Sequence, residues 1–335
     1  MREYVIDDKK SGVKCFSFLK KQVGENVKNS DLFKIIRKGI VRVNGKKIES
    51  STVLQSGDIL TLYLAEEYFN KKKNASFPIY HLEIIYEDSD ILVVNKARGV
   101  LVHSDGVEYR KNLVEYVKGY LYRKNEYSLD SLFTPTFCNR LDFNTSGIVI
   151  AAKNHQALQR VTAAFRDRQV EKRYYALVFG KLDKAFLISS KMEERLDQKN
   201  KMKCIGTQVT YDIPQKESFL KENQGICATK VEPILFNAQA SLVEVSLWTG
   251  KKHQIRAQMN SVGFPLLGDL KYFSHDSSEY SQAVGFDGYF LHSCFLGLPG
   301  FGAFHSIPDD SFMHAAKSLF SEKEINKIFD KKSLT

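Results

Sequence analysis

The sequence of 335 residues contains no long apolar run. Its first eight residues, M-R-E-Y-V-I-D-D, lack the apolar segment of a secretory signal peptide, and no later segment is long enough to cross a bilayer. We therefore expect a cytoplasmic protein with no membrane partner.

Cysteine pairs and metal-binding motifs are also missing. The five cysteines are scattered without a C-x-x-C pair, which argues for reduced thiols. Residues 81–83, H-L-E, match half of the zinc signature of nucleobase deaminases, but no P-C-x-x-C follows, so we interpret His81 as a residue at the entry of a strand. The clustered His and carboxylate ligands of a metal-dependent nuclease are absent as well. The sequence thus predicts no metal site.

The composition is that of a folded protein with a basic excess. With 43% hydrophobic and 26% charged residues, the chain is too apolar to be disordered, and its length predicts two domains. The formal net charge of +10 favours a polyanionic partner. Residues 1–81 hold 16 Lys and Arg against 9 Asp and Glu, so this part of the chain carries +7 of the excess. A solvated basic face is the alternative explanation.

Residues 12–64 form a pattern of two short amphipathic helices and a hairpin. The second helix is predicted to follow an N-cap at Ser30 and to end at Gly39, and Asn44-Gly45 is a typical hairpin turn. The residues predicted to face inward are Phe16, Leu19, Val23, Leu32, Ile35 and Ile36. Three cations lie on the outer face of the second helix: Lys34, Arg37 and Lys38.

The K-G-x-V-x-V-N-G-K and G-D-x-L segments of this module resemble the RNA-binding domain named for ribosomal small-subunit protein S-four. We predict such a small α/β domain over residues 1–65, followed by a linker over residues 66–81 that lacks apolar periodicity. The resemblance implies that Lys34, Arg37 and Lys38 contact RNA, and a positive helix beside a positive hairpin suits phosphate binding. Alternatively, these charges serve only solubility.

Asp142 occupies a position that suits a functional carboxylate. It belongs to residues 139–147, N-R-L-D-F-N-T-S-G, in which Thr145, Ser146 and Gly147 supply turn chemistry. Residues 148–152, I-V-I-A-A, predict a strand covered on both faces. Asp142 would then lie on a loop held by a rigid strand, although an Asp here could also simply bond the turn backbone.

Residues 139–147 resemble the H-R-L-D-x-x-T-S-G signature of pseudouridine synthases of the RluA/RluC/RluD type. Four further segments of this family have counterparts in the same order: residues 94–103, 172–178, 249–256 and 263–269. The resemblance implies an α+β catalytic domain over residues 82–335, with a mixed, largely antiparallel central sheet flanked by helices. Local patterns add a hairpin over residues 84–94, a helix over 155–168, a strand over 243–248 and a helix beginning near residue 252, whereas residues 199–224 are polar and unassigned.

The resemblance also implies a reaction, the isomerisation of uridine to pseudouridine in structured RNA. The substrate that it favours is large-subunit (23S) ribosomal RNA. This reaction needs no redox or phosphate cofactor, and we expect a monomer. Asp142 matches the catalytic aspartate, Arg256 the basic residue that pairs with it through a planar fork, and Tyr174 the tyrosine that stacks on the extruded base. The residues expected to contact RNA in this domain are Arg140, Lys251 and His253.

Other readings of these residues stay open at this stage. Arg256 could instead hold a phosphate, Tyr174 could be a core aromatic, and the whole chain could be a non-catalytic RNA-binding factor with the same fold. Three positions depart from the family pattern: Asn139 replaces His, Ala97 replaces Pro, and Lys251 replaces Arg. Lys251 keeps the charge but loses the planar fork.

Overall fold

Two separate β-sheets organise the computed structural model, which describes residues 1–8, 10–23, 27–65, 68–69, 76–104, 106, 111–129, 131, 133–195 and 201–330. Within these ranges the first sheet has four strands in the order β1-β4-β2-β3. Its strands are β1 (Arg2–Val5), β2 (Val41–Val43), β3 (Lys46–Lys47) and β4 (Ile59–Leu62). Two helices pack on it: α1 (Cys15–Gln22) and α2 (Asn29–Arg37).

The first sheet follows the sequence prediction closely, with two corrections. Helix α2 begins at Asn29 after Lys28, so the predicted N-cap at Ser30 is wrong, and Ser30 lies within the first turn. Strand β1 is not predicted by the sequence pattern; it exists because its backbone pairs with β4, with Arg2 opposite Leu62. Buried apolar side chains fill the space between the helices and the sheet: Phe18, Leu19, Leu32, Ile36, Leu60 and Leu62.

The second sheet contains eleven strands among the described residues. The main order is β11-β10-β12-β13-β9-β14-β8-β6-β5, with β15 paired to β14 and β7 paired to β8. These strands are β5 (Glu83–Glu87), β6 (Ile91–Lys96), β7 (Thr136–Phe137), β8 (Thr145–Ala152), β9 (Glu171–Phe179), β10 (Phe186–Glu194), β11 (Met202–Thr210), β12 (Cys227–Phe236), β13 (Ala240–Leu247), β14 (Leu291–Leu298) and β15 (Gly302–His305). Among the described pairs of strands in this sheet only β14 with β8 is parallel, which confirms the predicted mixed, largely antiparallel sheet.

Helices cover both faces of this sheet. They are α3 (Leu113–Arg123), α4 (His155–Arg166), α5 (Lys216–Glu222), α6 (Gln254–Ser261), α7 (His275–Ala283), α8 (Asp310–Leu319) and α9 (Glu322–Phe329). On β8, Val149 and Ala151 belong to the core beneath α3 and α6, whereas Ile148 and Ile150 belong to the core beneath α4. Every residue of β8 is therefore buried, and the uninterrupted apolar run in the sequence follows from this two-sided cover.

Several local predictions are confirmed and others are corrected. The predicted hairpin is β5 and β6, and the predicted helix over residues 155–168 is α4. The unassigned region 199–224 contains β11 and α5 in its described part. Thr145, Ser146 and Gly147 are not a turn but the first residues of β8; Gly147, at φ +108°, leaves room for the backbone of Ser293, which a Cβ would meet at 2.3 Å.

The junction between the two sheets is described in part. Residues 66–67 and 70–75, including the Lys71-Lys72-Lys73 run of the predicted linker, lie outside the described residues. Phe69 packs into the first core, whereas Phe77 and Tyr80 pack against the core of the large sheet. The division of the chain at residues 66–81 stays a prediction. No helix in the described ranges is long and apolar enough to span a bilayer.

Candidate active site

Asp142 lies on the loop between β7 and β8. The loop closes with a hydrogen bond from the Thr145 amide to the Asp142 carbonyl oxygen, at 3.0 Å. Asn139 fastens the start of the loop to β8, because its Oδ1 accepts from the Ile150 amide at 2.9 Å and its Nδ2 donates to the Ile148 carbonyl at 3.3 Å. Asn at this position thus still anchors the loop that carries Asp142.

The ammonium group of Lys96 supports the same loop from inside the protein. Lys96 is 1% exposed, and its Nζ donates to the carbonyl oxygens of Ala97 at 2.9 Å, Val100 at 2.8 Å and Phe143 at 3.2 Å. Burial lowers the pKa of Lys96 to about 7, and the negative charges of Asp142 and Asp309 oppose that shift. Sequence reasoning missed this residue, although it stands in the V-x-N-K segment that resembles the family pattern.

Arg256, on α6, connects two carboxylates. Its Nη1 donates to Asp142 Oδ2 at 3.1 Å, while its Nε and Nη2 donate to the two oxygens of Asp269 at 2.7 and 2.9 Å. The structure thus brings Arg256 to Asp142 as expected, but the expected use of the planar fork is wrong, because the bidentate pair is made with Asp269. The G-D pair at residues 268–269 was a signal for Asp269 that sequence reasoning did not use.

Asp269 is a fully buried anchor for the arginine. Its side chain has no exposed surface, and its Oδ1 also accepts from the amides of Lys271 at 2.9 Å and Tyr272 at 3.1 Å. The Arg256 guanidinium packs over the rings of Tyr272 and Tyr289, at 5.1 and 4.2 Å from their centroids. Burial opposes the charge of Arg256, but its hydrogen bonds to Asp269 and the electrostatic interactions with Tyr289, Asp269 and Asp142 together outweigh this and raise its pKa. A permanent positive charge therefore stands beside Asp142.

His253 is the second nitrogen-bearing side chain that lies near Asp142. The predicted helix start near residue 252 would place His253 inside the helix, but His253 precedes α6 as the N-cap residue, in a left-handed conformation with φ 55°. Its Nδ1 lies 3.0 Å from the Tyr272 hydroxyl and its Nε2 3.6 Å from Asp142 Oδ2. Burial lowers the pKa of His253 to about 4, against the opposing charge of Asp142, so the imidazole is neutral near pH 7.

Asp142 borders two adjoining hollows in the surface. The smaller, about 80 Å³, is lined on its apolar side by Tyr174, Leu247 and Leu291. The larger, about 400 Å³, extends past His103 to Lys252 and Lys271. Tyr174 is 8% exposed, and burial raises its pKa to about 12, so its phenol stays protonated. The side chain of Asp142 is about a quarter exposed. A flat group that entered the smaller hollow would therefore contact this carboxylate and the neutral phenol of Tyr174.

A separate basic surface lies on the N-terminal sheet. Lys34 and Arg37 line a groove of about 1100 Å³ between α2 and the β2–β3 hairpin, and Lys46 and Lys47 line it from the hairpin. Lys38 is exposed at the end of α2 but does not line the groove. Among the described residues, side chains able to share a metal ion meet at His275, Asp276 and Glu279, which are all exposed and line neither hollow beside Asp142.

Comparison with known proteins identifies the family. Residues 90–261 match the family model described as RNA pseudouridylate synthase. The chain belongs to this family. Among curated relatives, it is 30% identical to the ribosomal large subunit pseudouridine synthase C of Vibrio parahaemolyticus over 86% of this chain and 85% of that protein. It is 32% identical to an uncharacterised RNA pseudouridine synthase of Mycoplasma pneumoniae over 74% of each chain.

Solved structures of pseudouridine synthases share the fold. The chain of human RNA pseudouridylate synthase domain containing 4 matches with a TM-score of 0.56 and 20% identity, over 71% of this chain and 92% of that one. That of human RNA pseudouridylate synthase domain containing 1 gives a TM-score of 0.52 and 22% identity, over 78% and 98%. The predicted family, fold class and enzyme class are confirmed: the protein is an RNA-modifying isomerase.

In this RNA pseudouridine synthase the predicted site residues fall into two groups. Six of them border the smaller hollow: Arg140, Asp142, Tyr174, Lys251, His253 and Arg256. Arg140 and Lys251 are exposed at its rim, whereas Tyr174 and Arg256 are buried in its wall. Lys34, Arg37 and Lys38 belong to the separate N-terminal surface. The individual roles of these residues stay predictions.

Proposed function

We propose that this enzyme isomerises uridine to pseudouridine in large-subunit ribosomal RNA and that Asp142 is its catalytic carboxylate. One observation carries the proposal: Asp142 is part-exposed at a pocket with an aromatic wall, and the Nη1 of the buried Arg256 lies 3.1 Å from its Oδ2. Arg256 thus holds a fixed positive charge beside the carboxylate that an extruded base would meet in the pocket.

The reaction is an internal rearrangement. The bond between the ribose carbon and a uracil nitrogen breaks, the uracil turns, and a bond forms between the same ribose carbon and a uracil carbon, whose proton is lost as the nitrogen gains one. Nothing is oxidised and no group leaves, so a single carboxylate acting as nucleophile or base meets the chemical need. Tyr174 offers a face for the extruded base, and Arg140 at the rim accompanies the extruded nucleotide.

The choice of ribosomal RNA rests on relatives and on charge. The Vibrio parahaemolyticus relative is named for the large ribosomal subunit, and its match covers 86% of this chain. A net charge of +10 and a basic groove apart from the pocket favour an extended polyanion over a small substrate. We expect a cytoplasmic monomer that modifies this RNA, and light scattering of the purified protein tests the monomer.

The decisive experiment maps pseudouridines in ribosomal RNA from cells that carry the protein, lack it, or carry it as Asp142→Asn. Specific sites should vanish without the protein and stay absent with Asp142→Asn, which keeps the side-chain shape but loses the ionisable oxygen. Asp183→Asn is the matched control, because Asp183 is a half-exposed aspartate outside both hollows beside Asp142. Full modification by Asp142→Asn would rule out Asp142 as the catalytic residue.

A further inference from the structure

A stacked pair of phenylalanines lies at the edge of the basic groove. Phe33, on α2, is 50% exposed, which is unusual for a phenylalanine on a helix that packs against a core. One face of its ring stacks on Phe16 of α1, with centroids 4.4 Å apart and planes 22° apart. Because Phe16 covers one face of the ring, the exposed part of Phe33 includes its other face, a flat aromatic surface.

The groove around Phe33 is rich in cations. On α2, Ser30, Phe33 and Arg37 are spaced three and seven residues apart, so they share the helix face that lines the groove. The opposite wall carries Lys46 and Lys47 of the hairpin. The side chain of Lys47 crosses directly above Gly39, where a Cβ would meet its Cε at 2.6 Å, so the hairpin wall is held against the end of α2.

Among the residues that the structure describes, three of the four cations that line the groove have no carboxylate partner, whereas the fourth, Lys34, lies 3.4 Å from Asp31 Oδ1. Arg37, Lys46 and Lys47 form no ion pair with any described residue, and Glu49 is the one acidic side chain among the residues that line the groove. Cations gathered without carboxylates repel one another, and an anionic ligand relieves that repulsion. An aromatic face among such cations matches the two parts of a nucleotide, a base with a π-face and a phosphate.

We propose that this groove binds an unpaired RNA nucleotide, with its base stacked on Phe33 and the adjoining phosphates held by Arg37, Lys46 and Lys47. The proposal rests on the proposed function, since it takes RNA as the partner. In a duplex both faces of a base are covered by its neighbours, so only an unpaired base can offer a face to Phe33. The N-terminal module would then select RNA with a single-stranded segment near the target uridine.

The test compares two uridine-free RNAs, single-stranded oligo(A) and a G·C duplex of equal length, so that binding is read without the isomerase reaction. With the full-length protein, Phe33→Leu should weaken oligo(A) binding about 5- to 150-fold, as expected for losing one stacked base. Duplex binding should be unchanged, and the salt dependence should be unchanged because no charge is removed. Phe33→Tyr, which keeps the ring, should bind oligo(A) like the unsubstituted protein.

A matched control is Phe236→Leu. Phe236 is 44% exposed with the Lys181 ammonium 5.6 Å from its ring, but it lies outside the groove, so its loss should not affect either RNA. In a photocrosslinking experiment with oligo(A) that carries one 5-iodocytidine, the RNA should become linked to Phe33. The proposal is overturned if Phe33→Leu binds oligo(A) normally, or if its affinities for oligo(A) and for the duplex fall by the same factor. It is also overturned if Phe33→Tyr loses as much affinity for oligo(A) as Phe33→Leu.

Two further outcomes keep this proposal separate from the proposed function. If polyglutamate binding shows the same dependence on Phe33, the groove docks acidic protein segments and the RNA proposal fails. If ribosomal RNA carries no pseudouridine that depends on the protein, the proposed function fails, whereas the contrast between oligo(A) and duplex still decides the role of Phe33.

Discussion

Arg256 reaches Asp142 through one guanidinium nitrogen only, at 3.1 Å. Its Nε and Nη2 donate to the two carboxylate oxygens of Asp269, so the arginine is held by a buried partner and presents its remaining nitrogen to the pocket. Because Asp269 holds the guanidinium in place, Arg256 is a fixed positive charge beside Asp142. Mutation can therefore test two properties separately: the stability that the Arg256–Asp269 pair contributes, and the rate of the reaction at Asp142.

Arg256→Lys should slow the chemical step. A lysine ammonium is a point charge that cannot pair with both oxygens of Asp269 and still reach Asp142. We expect the single-turnover rate at saturating enzyme to fall about 10- to 100-fold, the loss of one hydrogen bond between charged groups, with RNA affinity nearly unchanged. Arg166→Lys, at an exposed arginine paired with its neighbour Asp167, is the control. A normal saturated rate with weaker RNA binding would instead make Arg256 a phosphate contact.

Asp269→Asn should destabilise the fold around the pocket. The substitution removes the carboxylate that pairs with the guanidinium of Arg256 through two hydrogen bonds. The Asp269 side chain has no exposed surface, so water cannot replace the lost partner. Removing one partner of such a buried pair costs about 3–5 kcal/mol, so the free energy of unfolding in urea should drop by roughly that amount. Asp183→Asn should leave stability within about 0.5 kcal/mol. Unchanged stability of Asp269→Asn would show that the pair contributes little.

His253 should not control the pH dependence near neutrality. Its pKa is lowered from 6.5 to about 4 in the folded protein, so it binds its proton only below the range in which the enzyme is assayed. Between pH 6 and 8 the rate profile of His253→Gln should therefore have the same shape as that of the unsubstituted enzyme. An inflection near pH 6.5 that disappears in His253→Gln would mean that the imidazole is charged beside Asp142.

The groove cations should set the salt dependence of RNA binding. Replacing Arg37, Lys46 and Lys47 with Gln removes three phosphate contacts, so the slope of log affinity against log salt should decrease by about two units for single-stranded RNA. The matched control replaces three exposed lysines outside the groove: Lys184, Lys323 and Lys327. Equal slopes for both triple variants would mean that the groove does not contact RNA.

Short-range patterns in the sequence determined much of this protein. The apolar run at residues 148–152 predicts a strand buried on both faces because alternate side chains then enter two cores. The amphipathic spacing of Leu32, Ile35 and Ile36 predicts α2 because one face of a short helix must meet the core. The five family segments located Asp142, Tyr174 and Arg256, and with them the pocket.

Tertiary structure decided what depends on partners distant in the chain. Residues 145–147 have turn composition, yet they are strand because β14 pairs with them from more than a hundred positions away. No residue of strand β11 is buried, so no core contact imposes an apolar period on it, and its backbone is held by β10. The fork of Arg256 pairs with Asp269 rather than Asp142 because the fold buries Asp269 against the guanidinium. The residue types do not say which of the two carboxylates takes the fork, because that depends on how the side chains pack in the folded chain.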